Sequence, residues 1–98
     1  MNIDAPTPRL KARLRRYKLS PAQYRLLMEQ HQNVCWICGD GDSCRLAIDH
    51  EHFGKQRVRG LLCKRCNMAL GLLADDPVLV ERARKYLLDP PAFRLLGT

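Results

Sequence analysis

The stretch AIDHEHFGKQRVRGLLCKRCN, residues 47–67, sets two histidines, two carboxylates and an asparagine beside a pair of cysteines, and a second pair, CWIC, lies upstream at 35–38. Cys35 and Cys38 are separated by two residues, as are Cys63 and Cys66, with residues 39–62 between the pairs. Thiolates at that spacing on a turn reach a single ion, and two such pairs build a tetrahedral sulfur cage suited to zinc. Four sulfurs close the coordination sphere, so a zinc held there is structural and contributes folding free energy to a small core. An iron–sulfur cluster or disulfides are the alternatives for the same four residues. Cys44 is the spare, expected as a plain thiol on the next strand.

A cage saturated by sulfur leaves Asp49, His50 and His52 to be explained. They are surface residues of a loop, or one histidine displaces a cysteine from zinc, or they form a second site. The symmetry of the cysteine pairs argues against displacement, and the density of titratable groups beside a metal knuckle argues against chance. Hydrolysis of a phosphodiester needs a base that works near neutral pH, and a neutral imidazole such as His50 is suited to it. It also needs a cation, usually magnesium with oxygen ligands, at the developing charge and the leaving oxygen. Asp49 offers a carboxylate and Asn67 an amide oxygen, hard ligands that leave most of a magnesium shell to water and phosphate. Neighbouring strand positions face opposite sides, so Asp49 is expected to face the metal and His50 to approach the phosphate separately.

The elements that must position these groups are read from periodicity. Residues 1–8 carry two prolines and read as a loose arm, whereas RLKARLRRYK, 9–18, places Leu10, Leu14 and Tyr17 on one helical stripe with a basic remainder. LSPAQYRLLMEQHQ, 19–32, opens with Ser20 as cap and Pro21 at the first helical position, and carries Tyr24, Leu27, Met28 and His31 on one face. His31 reads as a helix-end residue and not a ligand. NVCWICGDGD is a knuckle, CRLAIDH a strand ending at Asp49–His50, EHFGKQ a loop and RVRGLL a returning strand. CKRCNMALGLL begins a helix near the second cysteine pair, and DDPVLVERARKYLLD is a helix capped by Asp76, with Val80, Ala83 and Leu87 as its apolar stripe. The expected class is small α+β: a hairpin and helix stapled by the cysteines, with flanking helices. The division expected is a basic arm and helix at 1–18, a zinc-stapled domain at 19–89 and a tail at 90–98.

The chain has 98 residues and a net charge of +7, from 17 Lys+Arg against 10 Asp+Glu. A chain of this size suits one domain, and small domains often need a metal, a disulfide or a partner subunit. The charge suits a polyanion, nucleic acid before an anionic membrane surface. No apolar run approaches the roughly 20 residues of a membrane span, and the N-terminus lacks the apolar core of a secretory signal. A cytoplasm is therefore expected, where paired cysteines read as metal ligands before disulfides. Phosphate contacts are expected from Arg9, Lys11, Arg13, Arg15, Arg16 and Lys18 in the first helix and from Lys55, Arg57, Arg59, Lys64 and Arg65 around the centre. Arg57 and Arg59 are expected on one face of the second strand, with Asp40, Asp42 or Glu51 as competing ion-pair partners. Trp36 is expected to pack on the knuckle.

The combination C-x-x-C, then D-H-x-H, then VRGLLC, then C-N resembles the phage recombination endonuclease VII family, within the His–Asn–His or ββα-metal finger nucleases, over roughly residues 20–73. The resemblance implies that Cys35, Cys38, Cys63 and Cys66 hold structural Zn2+, that Asp49 and Asn67 bind a catalytic Mg2+ or Mn2+, and that His50 is the general base. It implies that His52 contacts the phosphate or assists the leaving group. Some relatives have a further histidine where this chain has Ala47, and an acidic residue where it has Leu70, which implies a sparer catalytic metal shell here. The best-known members also have a long C-terminal part used for dimerisation and for gripping DNA junctions; in this chain residues 68–98 come after Asn67.

The function expected is a metal-dependent DNA endonuclease, acting on branched or junction DNA in phage DNA processing or restriction, or as a nicking enzyme. A monomer would nick, whereas paired cuts would need a homodimer. The alternative is a non-catalytic zinc-knuckle DNA-binding module, which has no use for the Asp49, His50 and Asn67 set. A zinc-stapled protein-interaction adaptor is a third class, and it leaves the basic helix without a purpose.

Overall fold

A computed structural model describes residues 7–41 and 46–97. Residues 1–6 of the arm expected at 1–8, Asp42, Cys44 and the expected start of the first strand lie outside the described residues, whereas Thr7 and Pro8 belong to the start of α1. The order is α1 (Pro8–Arg16), α2 (Pro21–Gln30), β1 (Ala47–His50), β2 (Val58–Leu62), α3 (Lys64–Leu72), α4 (Pro77–Leu88) and α5 (Pro91–Leu96). The protein is small α+β, with a two-stranded sheet between flanking helices.

Two compact units divide the chain, one ending at Asn67 and the other beginning at Met68. The buried apolar residues, Leu10, Leu14, Tyr24, Cys35, Leu46, Ile48, Leu61, Leu62, Cys63 and Cys66, all belong to the first. The stripe read from α1 is therefore a core stripe: Leu10 and Leu14 are each 2% exposed. Thr7 caps this helix by accepting the Leu10 N–H, and Arg13 Nη2 donates to the Leu46 carbonyl at 2.9 Å, tying α1 to the entrance of β1.

α2 begins where the capping signals put it. Ser20 Oγ accepts the Gln23 N–H and Gln23 Oε1 accepts the Ser20 N–H, a reciprocal cap that satisfies two of the donors a helix start leaves open. Its last turn delivers His31 to the edge of β2. The imidazole is 6% exposed; Nε2 accepts the Leu61 N–H at 3.3 Å, so Nδ1 carries the proton, and Nδ1 has no partner among the described residues.

Three helices end in the same way. Lys18, Gln32 and Ala74 take positive φ, and the N–H of the next residue reaches back five positions: Leu19 to Leu14, Asn33 to Met28, Asp75 to Leu70. The left-handed residues themselves bond three positions back, which satisfies carbonyls the helix end would otherwise leave open. Glycine is the usual occupant of that position, and none of these ends has one.

In the hairpin, Ala47 pairs with Leu62, Ile48 with Leu61, Asp49 with Gly60, and His50 with Val58. The register slips between Asp49 and His50, so Arg59 is the extra residue of a bulge on β2. Arg59 is thus unpaired in the ladder, and Arg57 lies just before β2 and outside it. In the second unit, Asp76 caps α4 by accepting the Val78 N–H at 2.9 Å, and no residue of α4 or α5 is buried. Of the α4 stripe, Ala83 is half-buried, while Val80 is 37% and Leu87 76% exposed.

Candidate functional site

The cysteine cage is built at three corners of the fold. Cys35 and Cys38 lie on a turn closed by the Gly39 N–H donating to the Cys35 carbonyl at 2.9 Å, with Gly39 at φ 76°, where glycine is the unstrained residue. Cys63 ends the segment running out of β2, and Cys66 lies in the first turn of α3. The four sulfurs lie within 4.8 Å of one another, and Cys38 Sγ is 3.7 Å from Cys63 Sγ. A regular tetrahedron with metal–sulfur bonds of about 2.3 Å has edges of about 3.8 Å, so the group can hold zinc. The Cys66 N–H donates to Cys63 Sγ at 3.4 Å.

Charge explains why this cluster calls for a cation. Burial alone would push the Cys35 thiol up, but backbone hydrogen bonds from Cys38, Cys63 and Ile37 outweigh it and bring the group down to about 6. Burial, and then the neighbouring cysteines, push Cys66 up to about 12. Four negative sulfurs in this volume are tolerated only around a positive ion. Arg65 supplies part of that charge: a hydrogen bond to Cys38, and then the field of the thiolates, push its guanidinium pKa up. Arg65, expected on DNA, thus faces the cage.

Asp49, His50 and Asn67 are not part of the four-sulfur group. Asp49 is 4% exposed. Arg59 grips it with both arms of its guanidinium, Nε to Oδ2 at 2.7 Å and Nη2 to Oδ1 at 3.0 Å. His50, one residue on, is half-buried between two rings, with Tyr17 of the α1 C-cap at 5.2 Å and His52 at 5.2 Å. Tyr17 was legible only as part of the apolar stripe; its place beside His50 depends on a helix-to-strand packing that sequence spacing does not encode. Asn67 follows Cys66 directly and is half-buried, with its N–H donating to the Cys63 carbonyl at 3.0 Å. Among the described residues the four cysteines are the only group of three or more His, Cys, Asp or Glu close enough to hold a metal.

A divalent metal at Asp49 and Asn67 would meet a hard donor set of the right sign. That Asp49 already carries a cation at both oxygens shows a carboxylate arranged to be neutralised. The basic residues distribute unevenly. Arg9, Arg13 and Lys64 line one groove of about 530 Å³ together with Thr7, Leu10, Leu46 and Ala47. Lys11, Arg15, Arg16 and Lys18 are exposed on or just beyond α1, with Arg16 stacked 5.7 Å over Tyr17, and Lys55 is exposed in the hairpin connection. Arg57 is clamped to Glu51, Nη2 to Oε1 at 2.7 Å, and that partner holds the Glu51 carboxyl below its ordinary value. Trp36 is 62% exposed, with its ring edge-on to His31 at 5.0 Å, and so does not pack on the knuckle as expected.

Comparison with known proteins bears on what this arrangement does. The family model of recombination endonuclease VII matches residues 10–89, from the first buried leucine to the end of α4. The chain is 38% identical over 84 residues to the Gene 59 protein of Mycobacterium phage L5 and 37% identical over 84 residues to that of Mycobacterium phage D29, in each case over 83% of this chain. It covers 51% and 50% of those proteins, and so spans about half the length of the curated relatives it matches. No solved structure matches. No described helix is long and apolar enough to cross a membrane.

Proposed function

The chain belongs to the recombination endonuclease VII family, and on that premise we propose that it is a metal-dependent DNA endonuclease whose hydrolytic centre is Asp49, His50 and Asn67. Membership of the family supports nuclease action on DNA. The observation that carries the finer reading is the separation of the two donor sets. The sulfur cluster is complete in itself, while a buried carboxylate and a half-buried histidine occupy adjacent positions at the end of β1. A cage that only built a DNA-binding surface would have no need of that pair.

In this reading Asp49 and Asn67 hold a Mg2+ or Mn2+ ion, which when bound supplies positive charge to the phosphate and the leaving oxygen. His50 takes a proton from water as its oxygen bonds to phosphorus and the bond to the leaving oxygen breaks. His52, ring to ring with His50, contacts the phosphate or assists the departing oxygen. Tyr17 limits where the His50 ring can turn. Arg9, Arg13 and Lys64, with the exposed cations of α1, hold the backbone of DNA through phosphates and give binding that weakens with salt and reads little sequence. Branched or junction DNA and simple nicking are the candidate substrates and outcomes.

The test is relaxation of supercoiled plasmid in magnesium or manganese. His50→Ala is expected to abolish it while zinc content stays unchanged. Cutting at the wild-type rate by that variant would remove His50 from the mechanism. One observation favours the non-catalytic DNA-binding module instead: the Asp49 carboxylate is already satisfied by Arg59. A plasmid left intact by wild-type protein in both metals, with DNA binding retained, would establish that second reading.

A further inference from the structure

Asp49, a ligand of the divalent metal in the proposed centre, has its carboxylate covered by a guanidinium. The Asp49 side chain is 5% exposed and that of Arg59 33%. Both carboxylate oxygens lie in one planar fork, at 2.7 and 3.0 Å. Magnesium keeps several of its waters when it binds protein, so it needs open space at its ligand. A carboxylate this covered offers none while the fork is closed. The bulge supplies a means of opening it. Asp49 pairs with Gly60 and His50 with Val58, so Arg59 is the extra residue between them and its side chain can pivot without breaking a ladder pair.

We propose that Arg59 is an exchangeable counter-ion: seated on Asp49 in the absence of a divalent metal, released from it when the metal enters, and then available to a phosphate of the bound DNA. The inference rests on the reading of Asp49 as a metal ligand. A buried carboxylate needs a cation at all times, and Arg59 meets that need before the metal arrives. Entry of a divalent ion puts a second cation on the same oxygens and expels the weaker charge. The freed fork matches a phosphate in geometry as it matched the carboxylate. Metal and DNA then each favour the binding of the other, because each stabilises the released position of one side chain.

The direct test follows the Arg59 Nε–H in nitrogen-15 spectra of the zinc-loaded protein, its resonance assigned by its loss in Arg59→Lys. Slow solvent exchange is expected without magnesium, rising to that of exposed arginines as magnesium is added. Slow exchange that persists at saturation, while the Asn67 side-chain amide shifts with metal, would overturn the exchange and leave the metal site standing. No response of Asn67 or of the Asp49 carboxyl carbon to magnesium would overturn the metal site and this inference with it. Manganese affinity by calorimetry gives a second readout, with zinc content as the check on folding. If Arg59 is off Asp49 for about 1–10% of the time, removing the fork tightens the apparent Kd by about ten- to a hundred-fold. Arg59→Met and Arg59→Lys should both show it. The lysine keeps the charge and loses the fork, so an unchanged Kd in Arg59→Lys would reduce the effect to simple repulsion and overturn the proposal. Asp49→Asn should abolish manganese binding, and binding retained there would overturn the metal reading.

Discussion

Gly60→Ala tests the packing on which Asp49 depends. Gly60 pairs with Asp49 across the hairpin and faces the imidazole of His31. Its backbone suits an L residue, so the cost of a methyl group is one of space. A Cβ there would lie 3.2 Å from His31 Nε2 and 3.3 Å from Cε1, a few tenths of an ångström inside ordinary contact. The ring cannot easily retreat: it is 6% exposed, Trp36 meets it at 5.0 Å, and its Nε2 holds the N–H of Leu61, which is fully buried. Overpacking of this kind costs about 1–3 kcal/mol. The stiffer unfolded chain of alanine returns about 0.4–1 kcal/mol. The middle of these ranges leaves a net loss of about 1–2 kcal/mol, higher if the Leu61 N–H loses its acceptor. For a domain of this size that lowers the melting temperature of the zinc-loaded protein by about 4–16 °C. The assay is thermal denaturation by circular dichroism of the wild type, Gly60→Ala, His31→Ala and the double variant. Removing the imidazole removes the clash, so the two losses should fall short of additive by at least about 0.5 kcal/mol. A Gly60→Ala protein that melts at or above the wild type, or two losses that simply add, would refute the close approach of His31 to β2.

Cys63→Ser should leave three sulfurs and a poor fourth ligand. Zinc binding in knuckles of this kind contributes about 10–16 kcal/mol, comparable with the whole stability of a small domain, so the variant is expected to lose both zinc and the hairpin signal in circular dichroism; retention of both would count against the cage. In metal-free protein the cysteines should ionise apart. Cys35, lowered from 9.0 to about 6, contributes stability that is fully present above about 9 and is lost as the pH falls through 6, whereas Cys66, raised to about 12, favours the fold below 9 and loses that contribution as the pH rises through 12. Thiolate absorbance should therefore show one early and one late ionisation, and Cys35 and Cys66 titrating together near 9.0 in a chain that keeps its hairpin would refute the asymmetry.

Much of the architecture could be read from the sequence because its signals are local. Ser20 with Pro21, and Asp76 with Pro77, mark helix starts through bonds that span two or three residues. The cage was legible from two C-x-x-C pairs because the turn that brings such a pair together needs little else. The helix stops were harder, since Lys18, Gln32 and Ala74 stand where glycine is the usual signal. Around the hairpin, alternation fails at the bulge: Arg59 is the extra residue there and bends over the buried Asp49, while Arg57, just before β2, reaches the half-buried Glu51. The contacts of His50 with Tyr17 and of His31 with Leu61 link positions far apart in the chain, and no periodicity announces them. α5 lies in a segment whose composition gave no reading.

Cys66 and Asn67 are neighbours in the first turn of α3, and Cys63 takes both the sulfur contact of the one and the backbone bond of the other. An ion held by the four sulfurs and the backbone of Asn67 would thus be set by the same few bonds. Exchanging zinc for a larger thiophilic ion would lengthen every bond to sulfur and carry that turn outward, shifting the amide against a strand end that stays put. In the proposed reading, an ion that never meets DNA would in this way act as the gauge block for the spacing at which the strand is cut.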